Sequence, residues 1–161
     1  MPRTTIRKKN SLAEVTLTPK PAAIICDLDG TLCKMVDRGP YDESKVSTDE
    51  VHLPIKTIIE KFTDTHVIIF VSGRSTACMQ ATVDWIHKNV KVLPAPPERI
   101  PQLYMRQAGD KRKDSVVKQE IYDNLIKNEY DVLFVLDDRD QVVQMWRENG
   151  LTCLQVAPGN F

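Results

Sequence analysis

At 161 residues the chain can bury one core and is too short for two ordinary domains; 42% hydrophobic and 27% charged residues describe a globular protein. With 22 basic residues balancing 22 acidic ones, a broad nucleic-acid-coating surface is excluded, whereas a local basic pocket gripping one strand end is not. No apolar run approaches the roughly 20 residues that cross a bilayer, and the four cysteines, Cys26, Cys33, Cys78 and Cys153, lack a Cys-x-x-Cys pair and fit a reducing cytoplasm.

In chain order, residues 1–20 carry Arg3, Arg7, Lys8, Lys9 and Lys20 with little apolar periodicity. They read as a basic N-terminal arm or linker, either a plain tail or a contact for a polynucleotide backbone, with Val15–Thr18 as a short edge strand. Residues 21–161 form the domain. Ala22-Ala23-Ile24-Ile25-Cys26 is a buried strand running into Asp27-Leu28-Asp29-Gly30-Thr31. Two carboxylates at the carboxyl end of a central strand sit where open α/β sheets place their ligand crevice. Cys33–Thr48, with Arg38-Gly39-Pro40-Tyr41-Asp42 inside it, is too irregular for an element and reads as an active-site flap. Thr48-Asp49-Glu50 then caps a helix through about Lys61, with Val51, Ile55, Ile58, Ile59 and Phe62 facing the core.

His66–Val71 is a second buried strand, ending in Ser72-Gly73-Arg74. Strand, helix and strand form a βαβ unit, so this strand is parallel to the first and Ser72 opens on the same crevice as Asp27. A hydroxyl and backbone N–H groups in a Ser-Gly turn leading to a helix, here about Thr76 to Asn89, suit phosphate oxygens. Four prolines make residues 93–101 a loop, Gln102–Arg106 is a third strand and Gly109–Asp114 a turn. The helix from Asp114 to about Asn128 sets Asp114 and Lys118 four apart on one face. Asp131–Leu136 is a fourth buried strand ending in Asp137-Asp138-Arg139; the helix Asp140–Glu148, a C-cap at Asn149-Gly150 and a fifth strand, Leu151–Val156, complete the chain. The fold class expected is α/β, a single Rossmann-like domain with a mostly parallel five-stranded sheet flanked by helices and a minimal cap.

A carboxylate attacks phosphorus only when cations offset its repulsion from the phosphate dianion, so Asp27 and Asp29 call for a divalent metal and a lysine from elsewhere in the chain. The second acid can protonate a leaving alkoxide and later take a proton from water. Asp-x-Asp-Gly-Thr after an apolar strand resembles the first motif of the haloacid dehalogenase superfamily, Ser72 its second and Asp137-Asp138 its last. Several longer stretches are similar, in order, to the phosphatase half of phage-type polynucleotide kinase/phosphatases, over nearly all of residues 20–161. They are Asp27 to Leu32, Arg38-Gly39-Pro40-Tyr41-Asp42, Val71 to Arg74, Arg112 to Lys118, and Asp137-Asp138-Arg139 through Val142-Val143 to Met145-Trp146-Arg147.

The resemblance implies Asp27 as nucleophile, Asp29 as acid/base, and Ser72 and Lys118 as further catalytic groups, with Lys113, nearer the turn, as the alternative lysine. It implies substrate contacts from Thr31, Arg38, Gly73, Arg74, Lys113 and Asp114, and Mg²⁺ held by Asp27, Asp29, Asp137 and Asp138, with either of the last two as the direct ligand. The implied substrates are nucleic-acid 3′-phosphate ends in the cytoplasm of a bacterium or phage-infected cell. DNA against RNA, 2′,3′-cyclic ends and oligomeric state stay open. That family joins its phosphatase to a kinase bearing Gly-x-x-x-x-Gly-Lys-Ser/Thr, a loop this sequence lacks, so a polynucleotide kinase partner is expected as a separate or excised domain. The rival readings are a small-molecule phosphatase with the same catalytic residues and a non-catalytic phosphate-binding module. A response-regulator receiver is disfavoured by the order of the motifs.

Overall fold

The computed structural model describes residues 18–92 and 101–161; apart from their last few residues, the N-terminal arm with its edge strand and the proline loop lie outside these. Along the chain run β1 (Ala22–Cys26), β2 (Cys33–Lys34), β3 (Glu50–Val51), α1 (Leu53–Glu60), β4 (Val67–Ser75), α2 (Met79–Asn89), β5 (Gln102–Arg106), α3 (Asp114–Ile121), β6 (Asp131–Asp137), α4 (Asp140–Glu148) and β7 (Cys153–Gln155). Five strands pair in parallel in the order β5-β4-β1-β6-β7, as expected for a Rossmann-like sheet, and β2 and β3 form a small antiparallel pair beside it.

Strands buried on both faces need unbroken apolar runs, and side chains that alternate along them feed two separate cores. Ile24 and Cys26 of β1 and Ile68 and Phe70 of β4 pack with Ile55, Ile59, Trp85 and Ile86 from α1 and α2. Ala23, Ile25, Ile69 and Val71 point the other way, onto Val142, Val143 and Trp146 of α4 and Tyr122 and Ile126 beyond α3. The pairing Cys26↔Phe70 and Cys26↔Leu136 then fixes where the chemistry falls. Asp27 and Asp137, each one residue further on, leave the sheet at the same level from neighbouring strands.

Four boundaries differ from the sequence reading, the first two for a local reason. Helix α1 begins at Leu53 rather than behind Thr48-Asp49-Glu50, because Pro54 occupies its first turn, where a missing N–H costs nothing. Asp49 is thereby released from capping and turns inward, 6% exposed. Strand β4 continues through Ser72-Gly73-Arg74 to Ser75, and its register against β5 shifts between Ser72 and Ser75, a bulge that aims this segment at the crevice. A 3₁₀ turn, Thr76–Cys78, precedes α2, and α3 passes into a π-helical turn, Tyr122–Ile126.

Candidate active site

The turn after β1 is held by Asp27 N–H donating to Leu136 O at 2.9 Å and by Gly30, whose φ of 84° is a left-handed conformation that favours glycine. Any Cβ at Gly30 would collide with the Asp138 carboxylate, so this glycine allows the two acidic turns to close on each other. Carboxylate oxygens of Asp27, Asp137 and Asp138 lie within 4.8 Å of one another, and all three residues are buried. Into this cluster α3 inserts Lys118, whose Nζ donates to Asp27 Oδ1 at 2.7 Å and Asp137 Oδ2 at 2.9 Å and lies 3.5 Å from Asp114 Oδ2. Burial works against the Lys118 charge, yet Asp114, Asp137 and Asp27 together hold its pKa well above the usual lysine value.

Three facing carboxylates and one ammonium leave negative charge uncompensated. Burial pushes the Asp27 carboxyl up, Asp137 and Asp138 push it further, and Lys118 opposes them. Burial and then Asp137 raise Asp138 to about 6. A hard divalent cation fits such an all-oxygen acidic set. The two adjacent acids differ in what remains free. Asp137 is saturated: Oδ2 accepts from Lys118 and from the Trp146 indole N–H at 3.2 Å, and Oδ1 from the backbone N–H groups of Asp138 and Arg139. Asp138 receives the Thr31 hydroxyl on Oδ1 at 3.3 Å, and it lines the cleft.

Asp29 looks elsewhere. Its carboxylate takes a fork from Arg74, Nε at 3.0 Å and Nη2 at 2.6 Å, and a third bond from Arg38 Nη2 at 2.6 Å. The same guanidiniums meet Asp49, Arg38 at 2.8 and 2.6 Å and Arg74 at 2.7 Å, so two arginines and two aspartates alternate in one partly buried lattice. Burial works against the charge of Arg74, but Asp29 and its neighbours outweigh it and raise its pKa. Trp85 supports the lattice by donating its indole N–H to Asp49 O at 2.8 Å.

Of the residues singled out in the sequence, Asp27, Lys118, Asp114, Asp137, Asp138 and Thr31 meet in one cluster, while Asp29, Arg38 and Arg74 meet in the adjoining lattice. Gly73, Arg74 and Lys113 line the cleft; Ser72 is 1% exposed, and its hydroxyl accepts from the Arg74 backbone N–H at 3.2 Å. Gly73 has the same logic as Gly30, since a Cβ there would strike the Asp114 carboxylate. Sequence reasoning missed Asp49 and Arg106, which binds Gly73 O at 3.0 Å and Asp114 Oδ1 at 3.3 Å. Only Pro54, by marking the true start of α1, signalled that Asp49 was free for another role. Asp27, Asp29, Arg74, Arg106, Lys118 and Asp138 are among the groups that line a cleft of about 620 Å³, which Ser72, Thr31, Arg38 and Asp49 do not reach.

A parallel sheet whose first strand ends in Asp-x-Asp, with a lysine and a second acidic pair closing on the first acid, defines a haloacid dehalogenase-type phosphatase, a phosphoric monoester hydrolase. Residues 21–161 match the family described as the polynucleotide kinase PNKP phosphatase domain, and the chain belongs to that family. It is 37% identical over 131 residues to the "Putative bifunctional polynucleotide kinase/RNA ligase" of Autographa californica nuclear polyhedrosis virus, covering 80% of this chain and 18% of that one. Among solved structures, a chain of the Pnkp1/Rnl/Hen1 RNA repair complex superposes with TM-score 0.76 at 36% identity, over 94% of this chain and 49% of its own length. The class C acid phosphatase of Bacillus anthracis with tungstate bound shares the fold, with TM-score 0.60 at 18% identity over 89% of this chain and 68% of its own. The chain thus spans about half or less of the family relatives it matches. No helix among the described residues is long and apolar enough to cross a membrane.

Proposed function

We propose that the chain removes 3′ phosphates from nucleic-acid ends in a Mg²⁺-dependent reaction, with Asp27 as nucleophile and Asp29 as acid/base. The observation that carries this reading is Asp27 held by a buried lysine among the acids of a second strand, in a cleft whose lining also includes Arg74, Arg106, Lys111 and Lys113. The choice of polynucleotide ends is supported by the family of the domain and by relatives named for polynucleotide kinase, RNA ligase and RNA repair. Their names also support a kinase or ligase as partner.

Lys118 fixes Asp27 Oδ1, which leaves Oδ2 for phosphorus. As the Oδ2–P bond forms, the P–O3′ bond breaks, its electron pair stays on O3′, and O3′ takes a proton from Asp29. Water then attacks phosphorus and gives its proton to Asp29; the P–Oδ2 bond breaks, regenerating Asp27 and releasing inorganic phosphate. Arg74 and Arg38 keep Asp29 aimed, and Asp49 keeps the arginines aimed. Asp27, Asp138 and a backbone carbonyl of the first motif would hold Mg²⁺, which would neutralise phosphate charge when bound, while Asp137 fixes Lys118.

The test is a phosphate-release panel over 3′-phosphorylated DNA, 3′-phosphorylated RNA and small phosphoesters, with and without Mg²⁺. Release from the oligonucleotides that needs Mg²⁺ and vanishes in a folded Asp27→Asn variant is expected. Turnover confined to small phosphoesters, or substantial activity left in Asp27→Asn, refutes the reading.

A further inference from the structure

The chain has two Trp, four Tyr and four Phe. Eight of these rings are buried or partly covered, and the two exposed ones, Tyr41 at 90% and Phe161 at 64%, both line the catalytic cleft. Among the described residues, the other exposed large apolar side chains are aliphatic and do not line it.

Each ring is presented by a fixed segment. Tyr41 follows Pro40 in the flap, which is tied down on one side by Arg38 on Asp29 and Asp49. On its other side Glu43 accepts from the Ser75 N–H at 2.7 Å and the Ser75 hydroxyl at 2.6 Å. Phe161 N–H donates to Gly159 O, which also accepts from Asp140 N–H at the start of α4, and the Arg139 guanidinium lies 4.9 Å from the Phe161 ring centroid. The flap is therefore fastened to the β4 side and Phe161 to the β6 side, with β1 and Asp27 between them. Lys111 and Lys113 line the same cleft, and among the described residues neither is in an ion pair.

Rings exposed to water beside cations outside any ion pair are what a single strand needs: faces for its bases and charge for its backbone. A cleft of about 620 Å³ has the size of a pocket that encloses a compact ligand rather than a duplex. We propose that Tyr41 and Phe161 are stacking platforms for the last two nucleobases of an unpaired strand, flanking the phosphate presented to Asp27. This rests on the polynucleotide reading above and deepens it: the site selects an end whose two terminal bases are free to leave their partners. Lys111 and Lys113 take the backbone phosphate that precedes the scissile one.

The experiment measures kcat and KM for phosphate release from three substrates. These are a 3′-phosphorylated single-stranded oligonucleotide, the same oligonucleotide abasic at its two terminal positions, and the same end paired in a blunt duplex. Tyr41→Ala and Phe161→Ala are each expected to lower kcat/KM on the intact single strand about tenfold, mainly through KM, while Tyr41→Trp retains wild-type values. Abasic substitution lowers the wild type and does not lower the Tyr41→Ala/Phe161→Ala double variant further, and the duplex is the poorest substrate. Equal losses on intact and abasic strands, or a wild type indifferent to base removal, overturn the stacking role. A wild type that releases phosphate from small phosphoesters and from none of the three oligonucleotides refutes the substrate reading instead.

Discussion

Asp138→Asn separates what the acidic cluster does for catalysis from what it costs the fold. Burial beside Asp137 raises Asp138 from the ordinary 3.8 to about 6. A shift of about two units corresponds to about 3 kcal/mol between its two protonation states. Because the folded state holds this proton more tightly than the unfolded one, stability without metal falls as pH rises from 3.8 to about 6, and the whole contribution is missing above that window. Asparagine never ionises and can still accept the Thr31 hydroxyl. In EDTA at pH 7.5 the variant is therefore expected to be more stable than the wild type by about 1 to 3 kcal/mol. At roughly 2 to 4 °C per kcal/mol this is a readily measured rise in melting temperature. The gap should close at pH 4, and Mg²⁺ should raise the wild type but not the variant. Thermal melts at the two pH values, with EDTA and with Mg²⁺, check all of this alongside phosphate release, which the variant should lose. A variant no more stable than wild type in EDTA at pH 7.5 would show that Asp138 carries no buried-charge penalty and refute the reasoning.

Lys118→Met removes the one ammonium facing three buried acids, and breaking such a pair costs about 3 to 5 kcal/mol; urea denaturation at pH 7.5 should register this, with much of the loss recovered below pH 6 as the acids take up protons. Gly30→Ala puts a Cβ into the Asp138 carboxylate at a φ of 84°, so it should cost about 1 to 3 kcal/mol and weaken Mg²⁺ binding, read by titration calorimetry. All four cysteines are buried and burial raises their thiols, Cys153 to about 12, so a thiol reagent should label native protein slowly and denatured protein at all four.

The parts of this molecule visible in the sequence are those where composition and topology agree over short distances. Ala22–Cys26, His66–Val71 and Asp131–Leu136 read as buried strands, which holds for the first two and only for the second half of the third, where Leu133 is exposed; parallel connection then brought Asp27 and Asp137 to one end of the sheet. Lys118 was legible as the first of two choices, because the resemblance called for a lysine near Lys113 and four residues along a helix is a contact distance from Asp114. Asp49 was not, since Thr-Asp-Glu ahead of an apolar run has the same local look as a helix cap. Its actual partners, Arg38 and Arg74, lie 11 and 25 residues away. The β4 bulge, Arg106 and the lodging of Phe161 against Arg139 likewise depend on tertiary approach that no periodicity encodes.

The two indoles sit on opposite halves of the catalytic machinery, Trp146 bonded to the acid that fixes Lys118 and Trp85 to the backbone of Asp49. Nature has in effect wired a fluorophore to each half. Emission from a chain keeping only Trp146 would follow charge at the metal-binding acids, and one keeping only Trp85 would follow loosening of the arginine lattice. The order in which the two halves respond to an arriving strand could then be timed by stopped flow without any attached label.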